Sequence, residues 1–226
     1  VSIPLDQHVG APCQPVIRKG NTVKVGTLIG KSVGVISANI HSSVSGTVSK
    51  INKTTNTNGF TRNEVVIQVE GDEWEESIDQ SPSIKKECAL SPKEILDKIA
   101  SAGIVGVGGF PTHVKLTPLL GTKAEILIVN GVECEPWLTI DHRLMVEKTE
   151  EIMVGITIPM KALGIEKAII GIANNMGDAI EKFREQTKAY SGIRVEALKV
   201  KYPQGEEKLL INTLTGRRVP GGALPI

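Results

Sequence analysis

Three short segments combine glycines with charged or amide side chains in ways that could hold an anion or a planar ring. The first is the run 103–115 (GIVGVGGFPTHVK). Glycines at 106, 108 and 109 let backbone N–H groups come close to a phosphate or a flat ring, and Lys115 adds a positive charge. No Gly-Lys-Ser/Thr follows, so this is not a Walker loop. It also follows a helical pattern rather than a strand, which excludes a dinucleotide fingerprint. A tight turn without a ligand is the plain alternative. The second segment is 129–136 (VNGVECEP), where Asn130, Glu133 and Glu135 follow an apolar run and can accept hydrogen bonds from ribose hydroxyls or an amide. A polar loop stopped by proline is the alternative there. Cys134 lies between two carboxylates whose charge opposes thiolate formation, so it is not expected to be a nucleophile. The third segment is 202–207 (YPQGEE), a glycine turn with acidic groups. By itself it reads as a capped helix start.

These segments need elements to position them. Residues 1–71 carry short β-branched bursts at 15–18, 27–30, 34–36, 44–51 and 64–69, bounded by glycine or asparagine turns. They predict a small all-β module. Residues 72–90 are charged, contain Ser and Pro, and have no period; they predict a linker or strap, with Trp74 packing one end of it down. From Ser91 the pattern changes. Ser91, Pro92 and Glu94 form an N-cap, a first-turn proline and a capping-box acid, followed by Ile95, Leu96 and Ile99 on one face. Strands are predicted at 125–130, 167–173 and 194–200. Helices are predicted over 141–163, kinked or ended early by Pro159, and over 175–187 and 206–214. Alternating strands and helices over 91–226 predict a parallel α/β layer, in which ligands dock past the carboxyl ends of the strands. The second and third segments occupy such ends. The sequence closes on a loop-like string at 219–226 without a cap, so the chain is expected to be a fragment.

Composition excludes several classes. In 226 residues, 40% hydrophobic and 23% charged residues give an ordinary globular balance. Lys and Arg total 26 against 25 Asp and Glu, a net charge of +1, which lacks the footprint of a nucleic-acid binder. No apolar run approaches the roughly 18–20 residues of a membrane span, and the N-terminus does not read as a signal peptide. Any membrane association is expected to go through a partner. Aromatic residues are only 3%, so the core must be aliphatic. Cys13, Cys88 and Cys134 are scattered, as are His8, His41, His113 and His142. That argues against a disulfide framework or a metal site and fits a reducing compartment. His8 and His41 are expected to satisfy turn hydrogen bonds.

The runs 106–116 (GVGGFPTHVKL), 130–136 (NGVECEP), 141–145 (DHRLM) and 202–207 (YPQGEE) together resemble the RnfC family of the Rnf electron-transport complex. More distantly they resemble the NADH-binding flavoprotein subunit of respiratory complex I. Segments 3–12 (IPLDQHVGAP) and 41–48 (HSSVSGTV) are similar to the N-terminal module of the RnfC family, so the resemblance covers essentially the whole chain. An electron-transfer protein associated with proline reductase is equally compatible. The resemblance implies an α+β two-domain chain: a barrel-sandwich hybrid module over 1–71, then a Rossmann-like α/β domain over 91–226 that binds FMN and NAD(H). It implies that Gly106, Gly108 and Gly109 line the flavin and that Lys115 hydrogen-bonds it or offsets its charge when reduced. Asn130 and Glu133 would contact the isoalloxazine, Tyr202, Gly205 and Glu206 would complete the flavin wall, and Glu135 and Glu207 would face the nicotinamide nucleotide. Those last two carboxylates favour NAD over NADP, since they repel a 2′-phosphate. 4Fe-4S clusters are expected only in a region beyond this fragment. Expected partners are the other subunits of a membrane complex at its cytoplasmic face, or a soluble reductase, and a ferredoxin-type carrier. One departure stands out: the family's loop commonly reads Gly-x-Gly-Gly-Ala-x-Phe-Pro-Thr, whereas Gly109 here runs directly into Phe110. A scaffold that has lost its flavin is therefore the second reading. A carrier with a swinging arm is the third, and it lacks an attachment lysine in a tight turn.

Overall fold

β-Branched residues between glycine turns form the strands of the first part of the chain. They are β1 (Ser2–Pro4), β2 (Gln14–Pro15), β3 (Thr22–Val23), β4 (Leu28–Lys31), β5 (Ile40–His41), β6 (Gly46–Thr55) and β7 (Thr61–Val69). The structure, a computed structural model, describes residues 1–55, 59–106, 108–117, 123–223 and 225. The strands form two antiparallel sheets, ordered β1-β7-β6-β3 and β2-β4-β5. The β6–β7 ladder runs from Gly46 opposite Val69 to Thr55 opposite Thr61. Its inward residues Val48, Val65 and Ile67 bury with Ile3, Leu5, Val23 and Ile29 in an aliphatic core. The strand expected at 34–36 does not form. Gly34 takes φ +77 and Val35 is exposed, so this stretch is a turn leading to β5. His8 meets the Val9 carbonyl and the Cys13 sulfur, as its turn role requires.

By packing, the chain forms two compact units: Val1–Ser83 with Lys93–Thr117, and Ile84–Pro92 with Pro118–Ile226. The linker divides between them. Trp74 pairs with Val25, and Ile78 fills the space over Gly26 in the first unit. In the second, Lys86 pairs with Glu150 at 2.5 Å and Lys161 donates to the Cys88 carbonyl. Residues 93–117, expected in the second domain, instead pack with the β sheets. They comprise most of α1 (Pro92–Ser101), the glycine loop and α2 (Thr112–Lys115). Long-range contacts are the cause: Ile95 is buried, Asn39 donates to the Ser101 carbonyl at 3.1 Å, and Gly103 lies directly against the Asn39 carbonyl. Periodicity marked an apolar face on this helix but not the surface that would cover it.

The second unit contains β8 (Leu127–Gly131), α3 (Ile140–Glu147), α4 (Thr149–Leu163), β9 (Ala168–Ala173), α5 (Gly177–Thr187), β10 (Ile193–Leu198) and α6 (Glu207–Thr215). Its sheet is parallel, ordered β10-β9-β8. Every residue of β9 is buried, as a central parallel strand demands. Ile170 and Ile172 pack into one core with Met153, Ile156, Ala179 and Phe183. At Gly171 a Cβ would meet Leu198 of β10 and Leu210 and Leu214 of α6 at 3.2–3.3 Å. The single helix expected over 141–163 is two helices. Thr149 turns its hydroxyl onto the Met145 carbonyl (2.6 Å), and Lys148 leaves helical geometry at φ −124, ψ 30. Pro159 neither ends nor replaces α4, which runs on to Leu163 and stops at left-handed Gly164. Burial of Met153, Ile156 and Met160 offsets the one hydrogen bond the proline removes. Among the described residues no helix is long and apolar enough to cross a membrane, and no cluster of three or more His, Cys, Asp or Glu is placed to hold a metal.

Candidate functional site

In the first unit, the glycine loop is a compact hairpin. Val105 pairs with Pro111, Thr112 N–H donates to the Ile104 carbonyl (2.9 Å), and Gly106 N–H donates to the Phe110 carbonyl (3.0 Å). Gly109, at φ +78, donates to the Gly106 carbonyl and accepts from Val9 N–H. The amides of Gly106 and Gly109 are thus engaged inside the protein. Gly108 differs: nothing lies within 4 Å of the position a Cβ would take, so its flank is open to an incoming group. Lys115 places its ammonium 5.4 Å from the centre of the Phe110 ring, a cation–π contact. Val107 lies outside the described residues.

His113, within α2, was not singled out by sequence reasoning. Among the described residues, its Nδ1 is the buried side-chain nitrogen without a hydrogen-bond partner, and burial pushes the imidazole below its ordinary pKa. An unmet buried polar atom costs roughly 1–3 kcal/mol. His113→Leu is accordingly expected to stabilise the ligand-free protein by about 1 kcal/mol, read as a higher urea midpoint with an unchanged slope.

In the second unit, the carboxyl ends of the parallel strands bring the other candidates together. Asn130, at the end of β8, uses its whole side-chain amide: Nδ2 donates to the Gly205 carbonyl (2.9 Å) and Oδ1 accepts from Val132 N–H (3.1 Å). Gly205 N–H points to Cys134 Sγ at 3.4 Å. Loops 130–136 and 202–206 are therefore stitched to each other, and Gly205 is pressed so closely on Val132 that a Cβ would stand 2.6 Å from its carbonyl oxygen. Gln204, buried beneath, donates to Thr213 Oγ1 at 3.0 Å and anchors the turn to α6.

The four carboxylates do different things. Glu133 is buried and accepts from the backbone N–H groups of Asp141 (3.1 Å) and His142 (3.3 Å), capping the first turn of α3. Glu206 accepts from Leu209 N–H (2.8 Å) and caps α6. Glu135, which accepts from Cys134 N–H at 3.2 Å, is exposed, as are Glu207, in the first turn of α6, and Tyr202. Positions 141–143 open α3 as expected, and His142 reaches Asp178 of α5 at 2.7 Å. The sequence-predicted residues thus form two sets, Gly106, Gly108, Gly109 and Lys115 in the first unit and Asn130, Glu133, Glu135, Tyr202, Gly205, Glu206 and Glu207 in the second.

Asp141 is the titratable group perturbed at this edge. Burial, then the charges of Glu133 and Glu135, push its carboxyl above the ordinary carboxylate range. The folded protein therefore keeps this proton to higher pH than the unfolded chain does. Stability from this group is present at acid pH and is lost as pH rises from 3.8 through the raised value. Asp141→Asn is expected to gain stability over the parent protein above that window and to lose the advantage below it. Urea unfolding at pH 3.5 and pH 7 checks the sign.

Residues 1–72 match the RnfC barrel sandwich hybrid domain. Over 230 aligned residues the chain is 48% identical to the C subunit of the proton-translocating ferredoxin:NAD+ oxidoreductase complex of Clostridium ljungdahlii, covering 100% of this chain and 49% of the relative. It is 43% identical to the C subunit of the Na+-translocating ferredoxin:NAD+ oxidoreductase complex of Acetobacterium woodii, covering 100% of this chain and 51% of the relative. The chain thus spans about half the length of these curated relatives. Among solved structures, an NAD+-reducing [NiFe]-hydrogenase in the air-oxidised state aligns with 56% of this chain and 24% of its own, at 27% identity and a TM-score of 0.49. Residues 99–226, which include the glycine loop and both stitched strand-end loops, match the Nuo51 FMN-binding domain, and the chain belongs to that family.

Proposed function

We propose that this chain is the flavin- and NAD(H)-binding part of an Rnf-type electron-transfer oxidoreductase, with FMN and NAD(H) as its cofactors and a Rossmann-like α/β domain as its scaffold. The observation that carries the reading is the pair of strand-end loops locked by Asn130 and Gly205 within the segment that matches an FMN-binding domain. The residues present fit the flavin. Gly205 forms a close-packed backbone wall at the carboxyl ends of the parallel strands, where Glu135 and Glu207 stay exposed. When bound, FMN supplies the chemistry: it takes two electrons as a hydride from NADH and passes them on singly.

The chain's own residues position and hold. In the second unit, Tyr202 and Gly205 line the flavin. Asn130, Glu133 and Glu206 act as positioning residues, since their side chains already fix backbone N–H and carbonyl groups. Glu135 and Glu207 accept from ribose hydroxyls and disfavour a 2′-phosphate, which selects NAD over NADP. Iron–sulfur clusters or a ferredoxin-type carrier would be the one-electron partners of such a flavin. The relatives' names place those proteins in ion-translocating complexes, and the same setting, peripheral at the cytoplasmic face of the membrane, is proposed here.

A flavin-free scaffold is the second reading, and one observation favours it: the amides of Gly106 and Gly109 are already taken up by the loop itself. An absorbance spectrum before and after incubation with FMN and gel filtration separates the two. Flavin bands that co-elute and bleach anaerobically on NADH addition support the oxidoreductase; a colourless protein that leaves NADH unbound refutes it.

A further inference from the structure

The chain has only two Trp, two Tyr and three Phe, and one Trp and one Tyr stand in water on adjoining loops of the second unit. Trp137 is 99% exposed and Tyr202 74% exposed. Trp137 also has φ +68, the positive φ found at a non-glycine residue among those described. A bulky aromatic in the left-handed region is strained, and its ring gains no burial in return. Folding therefore gives no reason for a tryptophan here, where glycine would sit without strain.

The loop that presents the ring is tied to its neighbours. Pro136 precedes it, Leu138 N–H closes a turn on the Glu135 carbonyl (3.4 Å), and Glu133 ties the next turn to the start of α3. On the other side, the Asn130–Gly205 and Gly205–Cys134 contacts bind this loop to the one that carries Tyr202. An exposed aromatic face beside an exposed carboxylate suits a nucleotide: the ring stacks on a base or a nicotinamide, and Glu135 takes the ribose hydroxyls.

We infer that Trp137 is a stacking platform for a planar ring of the nicotinamide dinucleotide. The inference rests on the proposed function and adds a binding residue to it. Ile140 and Leu144 are also exposed on α3, so a protein partner is the competing occupant; the exposed Glu135 carboxylate beside the ring, an acceptor for ribose hydroxyls, favours the dinucleotide.

The test is calorimetric titration of NAD+ into the oxidised, FMN-loaded intact protein, comparing the parent with Trp137→Gly and Trp137→Phe. Stacking of one base on one aromatic ring is worth enough that Trp137→Gly should weaken NAD+ about tenfold. Trp137→Phe should keep most of the affinity. Thermal unfolding of Trp137→Gly should occur at the parent temperature or higher, because glycine relieves the strain, and FMN affinity should not move. Unchanged NAD+ affinity in Trp137→Gly overturns the platform. So does a loss of FMN affinity in step with that of NAD+, which would mean that the loop collapsed or that the ring faces the flavin. Unchanged NAD+ binding with impaired assembly of the complex would assign the surface to a protein partner instead. A parent protein that binds neither FMN nor NAD+ fails earlier, at the proposed function itself.

Discussion

Gly205→Ala is expected to lose about 2–4 kcal/mol of stability, read as a lower urea midpoint, and to lose FMN on gel filtration. The added methyl would stand 2.6 Å from the Val132 carbonyl oxygen and 3.3 Å from Cys134 Sγ. The first of these is backbone and cannot swing aside, so the two strand-end loops must separate. Separation stretches the Asn130 to Gly205 hydrogen bond (2.9 Å) that stitches the loops. If flavin needs the closed arrangement, restoring it at about 2 kcal/mol weakens binding on the order of 30-fold. Flavin fluorescence titration alongside urea unfolding measures both effects. Gly108→Ala is the control, because nothing lies within 4 Å of the added carbon. Its stability should stay within about 0.5 kcal/mol of the parent. Equal loss of stability in both variants would reject the close-packed wall.

Glu133→Ala is the second large effect, about 3 kcal/mol of stability. The buried carboxylate is the acceptor for two backbone N–H groups, those of Asp141 and His142, and removing it leaves both unmet at the first turn of α3. Part of the loss is returned, because Glu133 is one of the charges that push the Asp141 carboxyl upward. The variant is therefore expected to be less stable while its Asp141 titrates at lower pH, a combination that simple cavity formation does not produce. Glu133→Gln keeps one acceptor oxygen and should fall between the two. Chemical-shift titration of the Asp141 carboxyl and urea unfolding report the two halves separately. A stable Glu133→Ala protein would return this residue to the flavin-contact role that its place in the motif suggests.

These two residues also show where reading the sequence stops. Glu133 and Glu206 were recognisable as carboxylates at strand ends, and a carboxylate there serves equally to bind a ribose or to cap the next helix. Each sits within a few residues of a helix start, yet only the folded loop shows which N–H groups it meets. Gly205 read as a turn glycine; that its hydrogen atom is required by the carbonyl of Val132, 73 residues earlier, is a contact between loops that no local pattern encodes. Trp137 passed as an unremarked residue after Pro136, because neither full exposure nor a positive φ leaves a trace in composition or spacing. His113 lay inside the glycine segment, but an unmet nitrogen becomes visible only when its surroundings are known.

Some properties were determined by the sequence alone because they depend on near neighbours. β-Branched runs between glycine turns specified the β-rich module, the unbroken apolar run 168–173 specified a central parallel strand, and capping residues marked where α1 and α6 begin. The identity of the three ligand-suited loops was likewise fixed by their residue types. The tertiary structure decided what depends on distant contacts. It placed α1 and the glycine loop with the β sheets rather than the α/β layer, since that choice was made by Asn39 and Gly103 across more than sixty residues. It divided the 141–163 helix at Lys148, where the Thr149 hydroxyl competes for a backbone carbonyl. It also showed which backbone groups the side chains of Asn130, Glu133 and Glu206 meet. A polar side chain buried between loops must satisfy the nearest backbone groups first, and what remains exposed at the carboxyl edge of the sheet is left to meet a ligand.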